Sequence, residues 1–182
     1  MTTFLSAGHN PKGIKVDPGA VANGLTEANL AVEFRNLVVA ELLKRKVKVI
    51  TDRDDERLGD YLKRIQTGNG SVVLEFHFDA AASPLATGTT ALIGRDADRL
   101  DKAFAKELVD TTSSVVGIKN RGVISEKDSH RGSLGLMREQ GIVALLELCF
   151  ITNIEDLVKY DAHKKELAIK IAGIVERYEN MI

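Results

Sequence analysis

Ile142-Val143-Ala144-Leu145-Leu146-Glu147-Leu148-Cys149-Phe150 is the most apolar stretch of the chain, and it carries one acid at its centre. Its length is that of a strand and far short of a bilayer span. A second run, Ser71 to His77, is apolar enough to be buried on both faces of a sheet. Thr2 to Ala7, Val47 to Thr51 and Gly88 to Gly94 read as further strands. Between them apolar residues recur at helical spacing. Leu30, Phe34, Leu37, Val38 and Glu41 to Leu43 follow Thr26, a good helix N-cap; Leu58, Leu62 and Ile65 mark a short helix. Leu100, Phe104 and Leu108 mark another, and Leu167, Ile171, Ile174 and Tyr178 line a C-terminal one. The segment from Gly117 to Gly135, rich in glycine and charge, reads as a long loop. This alternation predicts an α/β sandwich with a mostly parallel, twisted sheet flanked by helices. With no internal repeat and no Pro/Ser-rich linker, residues 1–182 read as one domain.

Composition narrows the function classes. The chain has 182 residues, 44% hydrophobic and 28% charged, as in an ordinary globular protein. A formal net charge of -1 offers no broad positive field for nucleic acid or an anionic membrane, and neither partner is expected. The single cysteine, Cys149, excludes an intramolecular disulfide and a Cys-rich zinc finger, so a metal site must use histidines and carboxylates. Met1 to Leu5 lacks the basic and apolar regions of a secretory signal. The expectation is synthesis in the cytoplasm and no wall-binding module beyond the one domain.

Ligands of open α/β sheets bind beyond the carboxyl ends of the strands. Three strands end in, or contain, polar residues that a metal hydrolase uses. His9 lies two residues past Ala7, His77 ends Leu74-Glu75-Phe76-His77, and Glu147 sits deep in the last strand. A carboxylate inside that apolar run needs a compensating charge. Glu27 falls in the first turn of the first long helix, where the dipole favours an anion, and it leans toward the buried side. The start of that helix lies near the end of the first strand, so Glu27 is expected near His9. Taken one at a time, each residue has an ordinary structural reading. A histidine at a strand end is more often hydrogen-bonded than metal-bound, and Glu27 alone is a favourable first-turn acid.

The words around these residues are more specific. Ser6-Ala7-Gly8-His9, followed by Asp17-Pro18-Gly19-Ala20-Val21-Ala22-Asn23-Gly24-Leu25-Thr26-Glu27, resembles the opening of the Amidase_3 zinc amidases. Phe76-His77-Phe78-Asp79-Ala80 resembles that family's second histidine segment, and Gly88-Thr89 the start of its next strand. Leu136-Met137-Arg138 and Val143 to Asn153 resemble its closing pattern, so the similarity spans essentially the whole chain. The resemblance implies a zinc-hydrolase-like fold and an N-acetylmuramoyl-L-alanine amidase acting on peptidoglycan, as in sporulation, cell-separation and endolysin enzymes. It implies His9, Glu27 and His77 as zinc ligands and Glu147 as the catalytic acid/base. Three N and O ligands with one open position describe a catalytic zinc. A zinc peptidase cutting within the stem peptide and a non-catalytic peptidoglycan-binding module are the alternatives. Presence of all four residues weighs against the binding module.

Three positions depart from the family words. Asp79 stands where asparagine is usual, Cys149 where glycine is usual, and Glu75 where a small polar residue is common. Cys149 shares the alternation of Glu147, which puts it on the same side as a small buried residue. His130, in the polar loop, reads as solvent-exposed, and His163 as a surface residue. Arg138 either meets an acidic group of the stem peptide or caps a helix end.

Overall fold

The computed structural model describes residues 2–129 and 132–181; His130 lies outside the described residues. The elements run β1 (Thr3–Ala7), β2 (Val21–Ala22), β3 (Leu25–Thr26), α1 (Glu27–Lys44), β4 (Val49–Thr51), α2 (Leu58–Arg64) and β5 (Val72–Asp79). They continue with β6 (Thr89–Ile93), α3 (Arg99–Val116), β7 (Asn120–Ser125), β8 (Ile142–Phe150) and α4 (Ile154–Glu179). The main sheet has the order β4-β1-β5-β8-β6-β7, and β2 and β3 form a small separate hairpin. β4, β1, β5 and β8 are mutually parallel. β6 runs antiparallel to β8, and β7 is parallel to β6.

Alternation along the strands sorts residues onto two unequal faces. Leu5, Leu74, Phe76, Ala144 and Leu146 point to a large core closed by Phe34, Val38 and Leu42 of α1, Phe104 and Leu108 of α3, and Leu167 and Ile171 of α4. Three amphipathic helices, buried along one stripe each, cover this face. Leu43 of α1 faces solvent, because it lies one position off that stripe. The opposite face has a much smaller core, made by Phe4, Val73 and Val143 with Tyr61, Ile65 and Leu136. Among the described residues, α2 and the 3-10 turn Gly135–Arg138 supply its helical cover. The rest of that face, toward the carboxyl ends of β1, β5 and β8, carries Ser6, Glu75, His77 and Glu147.

Two sequence expectations change. The segment Gly117 to Gly135 is not all loop: Asn120–Ser125 forms β7, an edge strand whose residues are exposed or half-buried. Its Asn-Arg-Gly start gives no apolar run to mark it. Cys149 does not share the side of Glu147. His77 pairs with Glu147 but Asp79 with Phe150, so β8 carries an extra residue there. That bulge breaks the alternation and turns Cys149 into the large core.

Candidate metal centre

His9 follows Gly8 at the end of β1, and its backbone has φ 67°, a conformation few side-chain-bearing residues adopt. The Gly8 amide donates to the Phe76 carbonyl at 2.8 Å, carrying the β1–β5 ladder one step past the strand. Beyond it, Asn10 and Asp17 exchange backbone hydrogen bonds at 3.0 Å, and the Asn10 side chain donates to the Lys12 and Lys15 carbonyls. The loop between is thereby fastened to the end of β1. It leads through the β2–β3 hairpin to Thr26, whose hydroxyl accepts from the Asn29 amide and caps α1.

Glu27 is the first residue of that helix, and its buried carboxylate is fully engaged. Oε1 lies 2.7 Å from His77 Nδ1 and accepts from the Phe78 amide at 3.2 Å. Oε2 lies 3.2 Å from His9 Nε2 and accepts from the Ala20 amide at 3.0 Å. Each imidazole turns its other nitrogen to a second acid. His9 Nδ1 is 2.9 Å from Asp17 Oδ2, and His77 Nε2 is 3.1 Å from Glu75 Oε1. The Asp17 contact was missed in the sequence; its only signal is its place in the Asp17-Pro18-Gly19 word.

Burial raises the proton affinity of Glu27, but the bonds from His77, His9 and the Ala20 amide outweigh it and hold the carboxyl well below the usual range. For His77 burial acts in the opposite sense, yet Glu27 and Glu75 push it up to about 10. His9 is raised by Glu27 and Asp17 against the same burial effect. In the metal-free chain the acids thus gather positive charge at one point between them.

Ligand atoms of His9, Glu27 and His77 lie within 4.8 Å of one another, the one such group among the described residues. Two glycines keep that space clear. A Cβ on Gly8 would stand 2.2 Å from the His77 ring, and one on Gly19 2.5 Å from His9 and 2.7 Å from Glu27. Two imidazoles and a carboxylate with no side chain crowding them fit a divalent metal of the zinc type.

Glu147 lies on the strand next to His77 and is its register partner. It is buried, and its charge adds to the proton affinity of His77. Thr89 Oγ1 donates to its backbone carbonyl at 2.7 Å. A recess of about 350 Å³, lined by Glu147, Asp79, Thr90, Arg121 and Asp128, opens on this side. On the other side a cleft of about 500 Å³ runs from His9, His77 and Glu75 between Lys15 and Arg57.

The remaining candidates lie elsewhere. Arg138 ends the 3-10 turn away from the histidines: its Nη1 donates to Glu126 Oε1 at 2.6 Å, and Nη2 bonds Ser133. His163 is half-buried on α4, with Nδ1 2.9 Å from the Lys159 carbonyl. Asp79 Oδ1 accepts from the Ala80 amide at the end of β5.

A mostly parallel sheet covered more fully on one face, with two imidazoles and a carboxylate gathered at its strand ends, defines an α/β protein that carries the donor set of a metal site. The sequence pattern of the Amidase_3 family, N-acetylmuramoyl-L-alanine amidase, matches residues 4–177, and the chain belongs to this family of peptidoglycan hydrolases. Among solved structures it is similar to an N-acetylmuramoyl-L-alanine amidase from Clostridium difficile 630, with a TM-score of 0.82 and 22% identity over 98% of this chain and 96% of that one. An N-acetylmuramoyl-L-alanine amidase, provisionally so assigned, from Neisseria meningitidis shares 30% identity over 97% of this chain and 94% of its own, with a TM-score of 0.79. The CwlD amidase of Clostridioides difficile, solved in complex with the GerS lipoprotein, also has a TM-score of 0.79, at 20% identity over 100% and 99% of the two chains. No curated protein matches the chain. Among the described residues no helix is long and apolar enough to cross a membrane.

Proposed function

We propose that hydrolysis of the amide between N-acetylmuramic acid and L-alanine is zinc-dependent in this chain, with His9, Glu27 and His77 as ligands and Glu147 as general base and acid. The observation that carries this reading is the Glu27 carboxylate, whose two oxygens reach two imidazoles from a helix N-terminus. Zinc in a site of this donor set acidifies water and polarises the scissile carbonyl.

The chain's own residues do the rest. Glu147, beside His77 across the β5–β8 ladder, takes a proton from the attacking water. It then delivers that proton to the L-alanine nitrogen as the carbon–nitrogen bond breaks. The substrate lies across the ligands, between the cleft lined by Lys15, Arg57 and His77 and the recess that Glu147 lines. Residues 1–182 act as the catalytic domain, and the place of action is the cell wall.

Digestion of purified peptidoglycan tests the reading. New L-alanine amino termini are expected, without new reducing sugar ends and only while zinc is bound. New amino termini of other residues would mean a stem-peptide peptidase, and full activity after exhaustive chelation would remove the metal.

A further inference from the structure

We propose that Glu75 is a positioning residue that locks the His77 imidazole so that Nδ1, and not Nε2, is presented to the metal. The inference rests on the zinc reading above and goes beyond its ligand set.

Glu75 and His77 are two residues apart on β5 and so share the face of the sheet that carries the site. Glu75 is buried, and both its oxygens are used in opposite directions. Oε2 accepts from the hydroxyl of Ser6 at 2.8 Å, on the neighbouring strand where Ser6 and Glu75 are register partners. Oε1 is left for His77 Nε2 at 3.1 Å, while the opposite nitrogen of the same ring is 2.7 Å from Glu27. The imidazole is therefore gripped from both ends, and its Nε2–H has an acceptor that holds the proton away from Nδ1.

A carboxylate behind a ligating histidine fixes the tautomer and makes the ring a better donor. His9 has the same arrangement with Asp17, but that acid is 59% exposed, against 4% for the Glu75 side chain. The buried pair is the stronger of the two, because water neither screens it nor competes for it. Glu75 also lies outside the cluster of three ligand atoms, which separates its role from that of a fourth ligand. A buried carboxylate in a sheet interior is costly without such use. Ser6 and His77 take one oxygen each, which offsets that cost.

The test measures zinc affinity of the whole chain by competition with a chromogenic chelator, for wild type, Glu75→Gln and Glu75→Ser. Loss of the supporting acid is expected to weaken zinc binding by ~10–100-fold in both variants. The glutamine variant keeps shape, so its metal-free far-ultraviolet circular dichroism should match that of wild type, which separates the loss of zinc affinity from misfolding. Cobalt-substituted Glu75→Gln should keep the wild-type coordination number in its visible spectrum. Wild-type zinc affinity in both variants overturns the proposal, as does a changed coordination number, which would make Glu75 a ligand. Failure of the wild-type chain to bind zinc at all would instead remove the metal reading on which this one stands.

Discussion

Glu27 Oε1 lies 2.7 Å from His77 Nδ1, although fifty residues separate the two in the chain. Through its other oxygen the same carboxylate reaches His9. One acid at the start of α1 thus joins the ends of β1 and β5. The helix supplies the negative group at the end where its own dipole favours it, and both histidines are brought to it by a parallel ladder.

Metal content follows directly. Protein purified without chelator should hold about one zinc ion per chain by elemental analysis, and His77→Ala or Glu27→Ala should lose most of it. In the metal-free chain His77 is pushed up to about 10 by Glu27 and Glu75 in spite of burial, and His9 is raised as well. Protons therefore compete with the metal, and zinc affinity should fall as pH falls. Full metal retention in His77→Ala would end the ligand assignment.

Glu147→Gln separates base from ligand. The variant should bind zinc as wild type does and lose ~10²–10⁴-fold in turnover. Near wild-type turnover would show that the proton is carried by another group, and loss of zinc would make Glu147 a ligand.

Gly8→Ala probes the clearance around the proposed metal site. The added methyl would meet His77 Cε1 at 2.2 Å, and neither the strand end nor the doubly held ring yields easily. Overpacking of this kind costs ~1–3 kcal/mol. The far-ultraviolet circular dichroism should be unchanged while zinc affinity and activity fall together. Wild-type values for both would mean that the His77 ring has room to move.

Glu126 gives a pH-dependent prediction away from the metal. Its carboxylate accepts from Arg138 Nη1 at 2.6 Å, the Leu134 amide at 2.8 Å and the Arg95 amide at 3.3 Å. The Arg138 guanidinium, with these amides, lowers the carboxyl from 4.5 to about 2. A depressed acid stabilises the fold above its unfolded pKa and loses that contribution as pH falls through the folded one. Wild type should exceed Glu126→Gln in melting temperature at neutral pH, and the gap should close between about pH 4.5 and pH 2. A gap that persists at the acid end would show that Glu126 acts by shape alone.

Local pattern made much of this legible. Apolar runs and helical repeats marked most strands and helices, because burial on a strand or a helix stripe leaves its period in the residues themselves. The acid inside Leu145 to Phe150 stood out for the same reason. β7 escaped notice because an edge strand with exposed and half-buried residues carries no such period. The reversed direction of β6 was equally silent, since a strand's pattern reads the same either way along the sheet.

Residue types and order alone determined that the chain is an α/β protein with histidines and acids at its strand ends, and the motif words tied it to a family. The tertiary structure alone decided which nitrogen of each imidazole faces Glu27, that Asp17 and Glu75 stand behind them, and that Gly8 and Gly19 clear the space between. It also sent Cys149 to the core through one extra residue in β8. The division has a physical cause. Burial preference is a property of each residue and its near neighbours, whereas ring orientation, register and clearance arise from contacts between segments tens of residues apart, fixed only when the sheet closes.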